Sequence, residues 1–276
     1  MKAKSTIDAV TFDVWQTLLL ERDGWSLRRR NARCENLSSA LKELDLGVDI
    51  EQLKLAFENL DSWLAGIWSS NREVTHLDQI KFLIKAASEG SLTVEEEWVD
   101  RLSSAYVSAI FSVPPYLNPE APRVLQWLKD RGKLIGLICN VGLTPGLGLR
   151  KILEKFGVAE YFDLMIFSDE VGFRKPDPRM FHEASDELEL EPCRIVHIGD
   201  NLRSDIWGAK NVGFRAVYLS TGVGRDSVEE SNPESLISIS RRLSTLNEDQ
   251  TVPDKTVTSL VMVIDAIEEL EIRAEI

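Results

Sequence analysis

Ala9-Val10-Thr11-Phe12-Asp13-Val14-Trp15-Gln16-Thr17 is an apolar run that ends in a carboxylate and a hydroxyl. Four later runs share its character: Leu134–Cys139, Leu164–Phe167, Ile195–Ile198 and Ala216–Leu219. Each is nearly continuous in apolar, β-favouring residues, as expected of strands buried on both faces of a parallel sheet. Helical patterns separate the later runs. Ala121–Arg131 carries Val124, Leu125, Trp127 and Leu128 at helical spacing and stops at Gly132. Leu149–Phe156, Arg179–Leu188 and Asp205–Lys210 follow the same logic. Strands alternating with helices of this length predict an α/β fold, a doubly wound, Rossmann-like parallel sheet.

The interval between the first two strands is different. Ser26–Leu44, Glu51–Trp68, Leu77–Ser88 and Glu95–Phe111 all place apolar residues at i, i+3 and i+4. An all-helical cap domain over residues 21–114 is predicted, inserted into a core formed by residues 1–20 and 115–276. Pro114-Pro115 returns the chain to the core. The stretch from Gly222 to Asp254, rich in Ser, Glu, Asn and Asp, reads as a long surface loop with one helix near Glu234–Leu243. A short strand or turn and a closing helix are expected over Val257–Leu270.

Composition narrows the function. The 276 residues carry 32 Lys plus Arg against 45 Asp plus Glu, a net charge of −13. Nucleic acid and anionic membrane both select for clustered positive charge, so neither is an expected partner. Cys34, Cys139 and Cys193 form no C-x-x-C pair, which excludes a zinc motif and a disulfide framework. Cys34 and Cys193 read as packing residues. No apolar h-region opens the chain and no run of 18 apolar residues exists, so a cytoplasmic location is expected.

Ligands of open α/β sheets bind beyond the carboxyl ends of the strands. Those ends read Phe12-Asp13-Val14-Trp15-Gln16-Thr17, Cys139-Asn140-Val141-Gly142, Gly172-Phe173-Arg174-Lys175-Pro176-Asp177 and Gly199-Asp200-Asn201-Leu202-Arg203-Ser204-Asp205. Asp13, Asp200 and Asp205 are expected to converge, and three carboxylates stay ionised together only beside a compensating cation. A hard divalent ion, Mg²⁺ by preference, meets that need, with Lys175 as a fixed positive charge. Each residue also has a plainer reading. An Asp after a strand often caps a helix, Thr17 can simply hold its loop, and Lys175 can be a solvated lysine. His197, inside an apolar strand, reads as a satisfied core histidine. Arg28, Arg29, Arg30 and Arg33 read first as a solvated helix face, and second as an anion-steering patch. Trp25, Trp63 and Trp68 belong first to the core of the helical insertion.

In this order, the four motifs resemble the haloacid dehalogenase-like hydrolase superfamily, over about the whole chain. Its pattern is an Asp-x-Asp-x-Thr loop, a Ser/Thr-Asn strand end, a Lys before a Pro-rich turn, and a Gly-Asp-x(3–4)-Asp loop. The resemblance implies Asp13 as nucleophile, with Lys175 and Thr17 catalytic. It implies Cys139, Asn140 and Lys175 at the substrate, and Mg²⁺ held by Asp13, the Trp15 carbonyl, Asp200 and Asp205.

Two positions depart from the pattern. Trp15 stands where the phosphatase branch has its general acid, a function typically worth ~10²–10⁴ in rate. Cys139 stands where Ser or Thr is expected, and a thiol donates hydrogen bonds weakly. Backbone N–H groups of Asn140 and Val141 are candidate substitutes. The dehalogenase branch also lacks the second Asp, often has an aromatic there, and works without metal. It binds its substrate carboxylate with an Arg, for which Arg22, Arg28 and Arg29 are candidates. The reading that keeps Asp200 and Asp205 meaningful is a Mg²⁺-dependent phosphohydrolase of small phosphorylated metabolites, working through an aspartyl-phosphate on Asp13. The alternatives are a metal-free 2-haloacid dehalogenase and a degenerate member that binds a phospho-ligand or a partner. The oligomeric state stays open.

Overall fold

A computed structural model describes residues 6–220 and 252–275, with side chains to residue 272. The expected loop from Gly222 to Asp254, with its helix at Glu234–Leu243, lies outside the described residues except at Val252 to Asp254.

Among the described residues the core is a six-stranded parallel sheet. Its strands are β1 (Ala9–Phe12), β4 (Leu134–Cys139), β5 (Leu164–Phe167), β6 (Ile195–Gly199), β7 (Arg215–Leu219) and β8 (Lys255–Val257), in the order β5-β4-β1-β6-β7-β8. Central β1 pairs with β4 on one side, Val10 opposite Ile135, and with β6 on the other, Val10 opposite Val196. The order reverses at β1, so the crevice beyond β1, β4 and β6 is the topological switch point.

Alternate residues of each strand feed two apolar layers. Val10, Phe12, Ile135, Leu137 and Cys139 pack on one face with α5 (Ala121–Asp130) and α6 (Gly146–Lys155). Ala9, Ile138 and Ile195 pack on the other with α8 (Pro178–Glu187) and α9 (Gly208–Asn211). Helix α10 (Val263–Glu275) closes the first layer through Ile267 and Leu270.

The ribbon β2 (Leu19–Leu20) and β3 (Tyr116–Leu117) is antiparallel, so entry to and exit from the helical insertion lie side by side. The insertion holds α1 (Trp25–Glu43), α2 (Ile50–Trp68), α3 (His76–Ala87) and α4 (Val99–Ser112). Reciprocal capping boxes start α2 at Asp49 and α3 at Thr75, satisfying N–H groups that the first turn leaves unpaired. The four helices bury their own cluster, including Leu37, Leu53, Phe57, Leu64, Leu83 and Tyr106. Trp68 and Trp63 belong to it as expected, Trp63 stacked on Phe82, whereas Trp25 meets Tyr116 of the ribbon edge-on.

Several expectations need correction. The ladder of β1 stops at Phe12, not Val14, because the Val14 carbonyl turns to accept from Leu18 and Leu19. The helix expected from Glu95 is a 3₁₀ turn, Glu96–Trp98, followed by α4. Only Arg28 of the basic quartet is fully solvated. Arg29 and Arg33 are buried because α1 packs on α4, where their Nε atoms donate to the carbonyls of Val113 and Tyr106. Cys34 is buried, but Cys193 is exposed on a 3₁₀ turn, Pro192–Arg194.

Helix α6 begins at Gly146, earlier than expected, and its first N–H donates to both carboxylate oxygens of Asp169. A Cβ on Gly146 would sit 2.6 Å from Phe167 Cγ. Alanine is the better helix former by about 1 kcal/mol, but overpacking costs ~1–3 kcal/mol. Gly146→Ala is therefore expected to destabilise the protein, by up to about 2 kcal/mol in urea titration. Burial, opposed by the Gly146 N–H and assisted by Glu170 and Glu73, pushes the Asp169 carboxyl up to about 6. The folded state thus holds this proton more tightly than the unfolded chain. Its contribution to stability falls as pH rises from about 4 towards 6 and stays low above. Asp169→Asn keeps an acceptor for Gly146 and is expected to flatten that decline, raising stability at neutral pH but not in acid; denaturation midpoints across the range check this.

Candidate functional site

Asp13 follows directly on β1, and its N–H donates to Ile198 O of β6 at 2.8 Å. The turn behind it is tight. Gln16 takes a left-handed φ of 60° and donates its N–H to Leu19 O at 2.8 Å. The Thr17 carbonyl accepts from Asn118 Nδ2 at 3.0 Å, while the buried Thr17 Oγ1 has no protein partner.

Beyond β6 the chain enters a π-helical turn, Leu202–Trp207, before α9. Asn201 caps it, its Oδ1 accepting from the N–H groups of Arg203 and Ser204 at 3.0 and 2.8 Å. Asp205 is therefore not the N-cap of the following helix. It lies inside the turn, and its Oδ2 accepts from Asn201 N at 2.9 Å. A Cβ at Gly199 would lie 2.4 Å from Asp205 Cγ. Only glycine lets the carboxylate lie against the strand end.

Asp13, Asp200 and Asp205 each offer a carboxylate oxygen, and these oxygens lie within 4.8 Å of one another. Lys175 reaches Asp13 and Asp205 from the loop after α7 (Ser168–Val171). Its Nζ lies 2.7 Å from Asp13 Oδ1, 2.6 Å from Ile138 O and 2.7 Å from Asp205 Oδ1. The last contact is an ion pair that falls off the hydrogen-bonding direction, which leaves Asp205 Oδ1 without a hydrogen bond. Lys175 is 3% exposed and Asp205 1%, so these charges interact in a low-dielectric setting.

Charge and burial set the protonation states. Burial pushes Asp13 up to about 6 against the pull of Lys175, and the Asp205 charge adds to the rise. Burial would raise Asp205 too, but Lys175 and His197 hold it well below the usual carboxylate range. Burial works against the Lys175 ammonium, yet Asp13 and Asp205 raise it above an ordinary lysine. Burial, with Lys175 nearby, lowers His197 to about 4, so its ring is neutral. His197 Nδ1 shares a hydrogen bond with Thr11 Oγ1 at 2.9 Å, and Nε2 stands 3.6 Å from Asp205 Oδ1. It is a core histidine, satisfied at one nitrogen only. The negative charge is thus met only in part, by Lys175. An oxygen-seeking divalent cation fits this donor set, including the unbonded Asp205 oxygen.

The remaining candidates lie around this cluster. The Asn140 amide is spent on the backbone of Lys175, accepting from its N–H at 2.7 Å and donating to its carbonyl at 2.8 Å. Val141 N–H, a candidate anion donor, is spent on Ser168 Oγ at 2.9 Å. Cys139 is fully buried with Ile135 and Leu137, and burial pushes its thiol well up. Trp15 is half-buried against the core, and the Arg29 guanidinium lies 5.4 Å above its ring. Arg29 also pairs with Glu21, and its buried Nη2 has no partner. Sequence reasoning missed Asn118 and Ser168, and also Glu73, which pairs with Arg174 across 101 residues of chain. Arg174 stands inside the third motif run, the one signal that touches this group.

Comparison with known proteins agrees with the fold and the motif order. Among curated relatives, a glyceraldehyde 3-phosphate phosphatase of Methanopyrus kandleri is 28% identical over 251 residues, covering 86% of this chain and 99% of that protein. A phosphoserine phosphatase of Thermus thermophilus is 36% identical over 115 residues, 42% of this chain and 45% of its own length. The chain spans about half the length of several such relatives. Among solved structures, a 2-haloacid dehalogenase of Pseudomonas syringae superposes with a TM-score of 0.64 at 20% identity, over 96% of this chain and 100% of that one. A HAD phosphatase of Thermococcus onnurineus gives 0.54 at 23%, over 94% and 96%. At such identities the likeness speaks for the fold alone. A family profile described as haloacid dehalogenase-like hydrolase matches residues 7–213, and the chain belongs to that family of hydrolases.

Proposed function

We propose that the protein is a Mg²⁺-dependent phosphohydrolase of small phosphorylated metabolites, acting through an aspartyl-phosphate on Asp13. The observation that carries this reading is the cluster of Asp13, Asp200 and Asp205, two of which, Asp13 and Asp205, pair with the buried Lys175 ammonium. Asp13, Asp200, Asp205 and the Trp15 carbonyl would hold the cation. When bound, it supplies positive charge to the phosphoryl oxygens.

The chain's own residues do the rest. Lys175 keeps Asp13 ionised and faces the charge that develops on the phosphoryl group. An Asp13 carboxylate oxygen attacks phosphorus in line, and the ester P–O bond breaks with its electron pair leaving on the departing oxygen. Water then attacks phosphorus, the Asp13–phosphorus bond breaks, and phosphate leaves as Asp13 recovers its carboxylate. Thr17 Oγ1, buried and unpartnered, is a candidate donor to a bound phosphoryl oxygen. Cys139 and the Asn140 side chain act behind the site, as packing and as a clamp on Lys175. Residues 21–114 serve as a cap over the core formed by 1–20 and 115–276, excluding water from the reacting centre.

Trp15 sets the substrate class. The indole N–H is far too weak an acid to give up its proton, so the leaving group departs as its anion or takes a proton from solvent. Acyl and aryl phosphates suit this site. Trp15 also favours the second reading, a metal-free 2-haloacid dehalogenase, since halide leaves without protonation. Names among the relatives support the first reading: glyceraldehyde 3-phosphate phosphatase and phosphoserine phosphatase.

Turnover of p-nitrophenyl phosphate is expected to need Mg²⁺, to stop with a chelator, and to fall to background in Asp13→Asn. Metal-independent release of chloride from 2-chloropropionate, with no phosphate ester turned over, would instead establish the dehalogenase. In the active phosphohydrolase, kcat/KM is expected to drop by ~10²–10⁴ from aryl to alkyl phosphates, the range a missing general acid accounts for; equal rates on both series would remove the assigned consequence of Trp15.

A further inference from the structure

Besides the ribbon of β2 and β3, and the bonds from Arg33 to Thr144 and from Gln79 to the Gly142 carbonyl, the helical insertion touches the core at the loop before Lys175. Residues 71–73, between α2 and α3, lie alongside residues 172–174, which lead into Lys175. Arg174 N donates to Asn71 O at 2.9 Å, Glu73 N donates to Gly172 O at 3.0 Å, and Arg72 and Phe173 form an antiparallel bridge.

The Glu73 side chain completes the contact. Its carboxylate is fully buried and accepts four donors. Oε1 receives Trp68 Nε1 at 2.8 Å and Val74 N at 3.1 Å. Oε2 receives Ser168 Oγ at 2.9 Å and a short ion pair from Arg174 Nη1. The Arg174 guanidinium lies over Trp68, 4.0 Å from the ring centroid, and donates to Val141 O at 2.5 Å.

Both backbone groups of Val141 therefore end on Glu73 through one intermediate. Its N–H is held by the Ser168 hydroxyl, whose proton goes to Glu73, and its carbonyl is held by Arg174, which pairs with Glu73. Next along the chain, both backbone groups of Lys175 are held by the Asn140 amide. Residues 140–141 and 174–175 form one hydrogen-bonded plate behind the Asp13 carboxylate, and Glu73 is its contribution from the insertion. A buried carboxylate carrying four donors is costly to rearrange, because each donor would be left unsatisfied in a dry setting.

We infer that Glu73 is a positioning residue: through it the helical insertion holds the core loops that carry Asn140, Val141 and Lys175 in register with Asp13. The effect on chemistry rests on the hydrolase reading above; the coupling itself does not. Glu73 acts through Arg174 and Ser168 and has no contact with the reacting carboxylates among its hydrogen bonds. Loss of its charge lets the loops shift, and a displacement near 1 Å can cost about 10²-fold in rate.

Glu73→Gln preserves shape and removes the charge. It is expected to lower kcat by about 10²-fold, with KM little changed, because the loss falls on the geometry of the transition state. The double variant Glu73→Gln/Arg174→Met removes the unpaired guanidinium as well and keeps an apolar contact on Trp68. It is expected to recover the melting temperature of the wild type but not its kcat. Recovery of kcat together with stability, or a wild-type kcat in a folded Glu73→Gln, would overturn the inference and leave the pair a structural one. Hydrogen exchange separates this test from the reaction. Glu73→Gln is expected to lose amide protection at residues 140–142 and 172–175 even if the wild type turns over no phosphate ester, in which case only the phosphohydrolase reading falls. Unchanged protection there in folded Glu73→Gln would overturn the coupling whatever the activity.

Discussion

A lysine ammonium stripped of water and shared between Asp13 and Asp205 is the constraint around which the site is organised. The effective cost of burying an ion is several kcal/mol, recovered only when its partners sit at contact distance. Lys175 meets this condition with three oxygens, each from a different stretch of the core: Asp13 beyond β1, Ile138 in β4 and Asp205 beyond β6. The strand order makes this possible, because β4 and β6 flank β1 and their carboxyl ends face the same crevice. Removing the ammonium would leave two buried carboxylates facing each other. The fold and the charge arrangement are therefore one problem with one solution. Glycine at 199, which lets Asp205 lie against the strand, and asparagine at 140, which grips both backbone groups of Lys175, are parts of that solution.

The same constraint explains what the amino-acid pattern reveals. Core strands buried on both faces must be continuously apolar, so the runs before Asp13, Asn140 and Asp200 stand out without reference to structure. Insertion helices bury one stripe each, and their 3.6-residue period is visible too. Strand ends of a doubly wound sheet share an edge, so carboxylates at the ends of β1 and β6 could be placed together from order alone. The parts that stayed hidden depend on partners distant in sequence. Nothing local distinguishes Glu73 from any polar residue between two helices; its role comes from Ser168 and Arg174. Val141 N–H looked available for an anion because Ser168 Oγ lies 27 residues away. Arg29 and Arg33 read as a solvated face because basic residues usually are. Here α4 offers them backbone carbonyls at its C-terminal end and within its length. The π-helical turn was invisible for a related reason. Its mark is the bond from Ile206 N–H to the Asn201 carbonyl five residues back, beside the bond from Asn201 N–H to the Asp205 carboxylate, and the pattern of apolar residues records neither.

Trp15 is the point where this chain parts from the acid–base pattern of its family, and its surroundings give the substitution a physical context. The ring lies under the Arg29 guanidinium, which also holds Glu21 and Val113, one on each linker between core and insertion. A partly desolvated cation over an indole face is worth ~0.5–2 kcal/mol. A carboxylate at that position would meet the same guanidinium. The pairing would favour its ionised form, the wrong state for giving a proton to a leaving group. With Arg29 anchoring the start of α1 to both linkers, an aromatic ring fits this loop better than an acid. Stacking gives the anchor a third contact and adds no charge to a site that already gathers three carboxylates, two of them paired with one lysine. Charged side chains thus join the insertion to the core at several places, among them Arg29 at the ribbon, Arg33 at Thr144 and Glu73 at the third motif. Arg29 and Glu73 end on the loops that follow β1 and precede Lys175, and under the proposed reading a change of charge in the insertion would bear on the geometry at Asp13 without touching it.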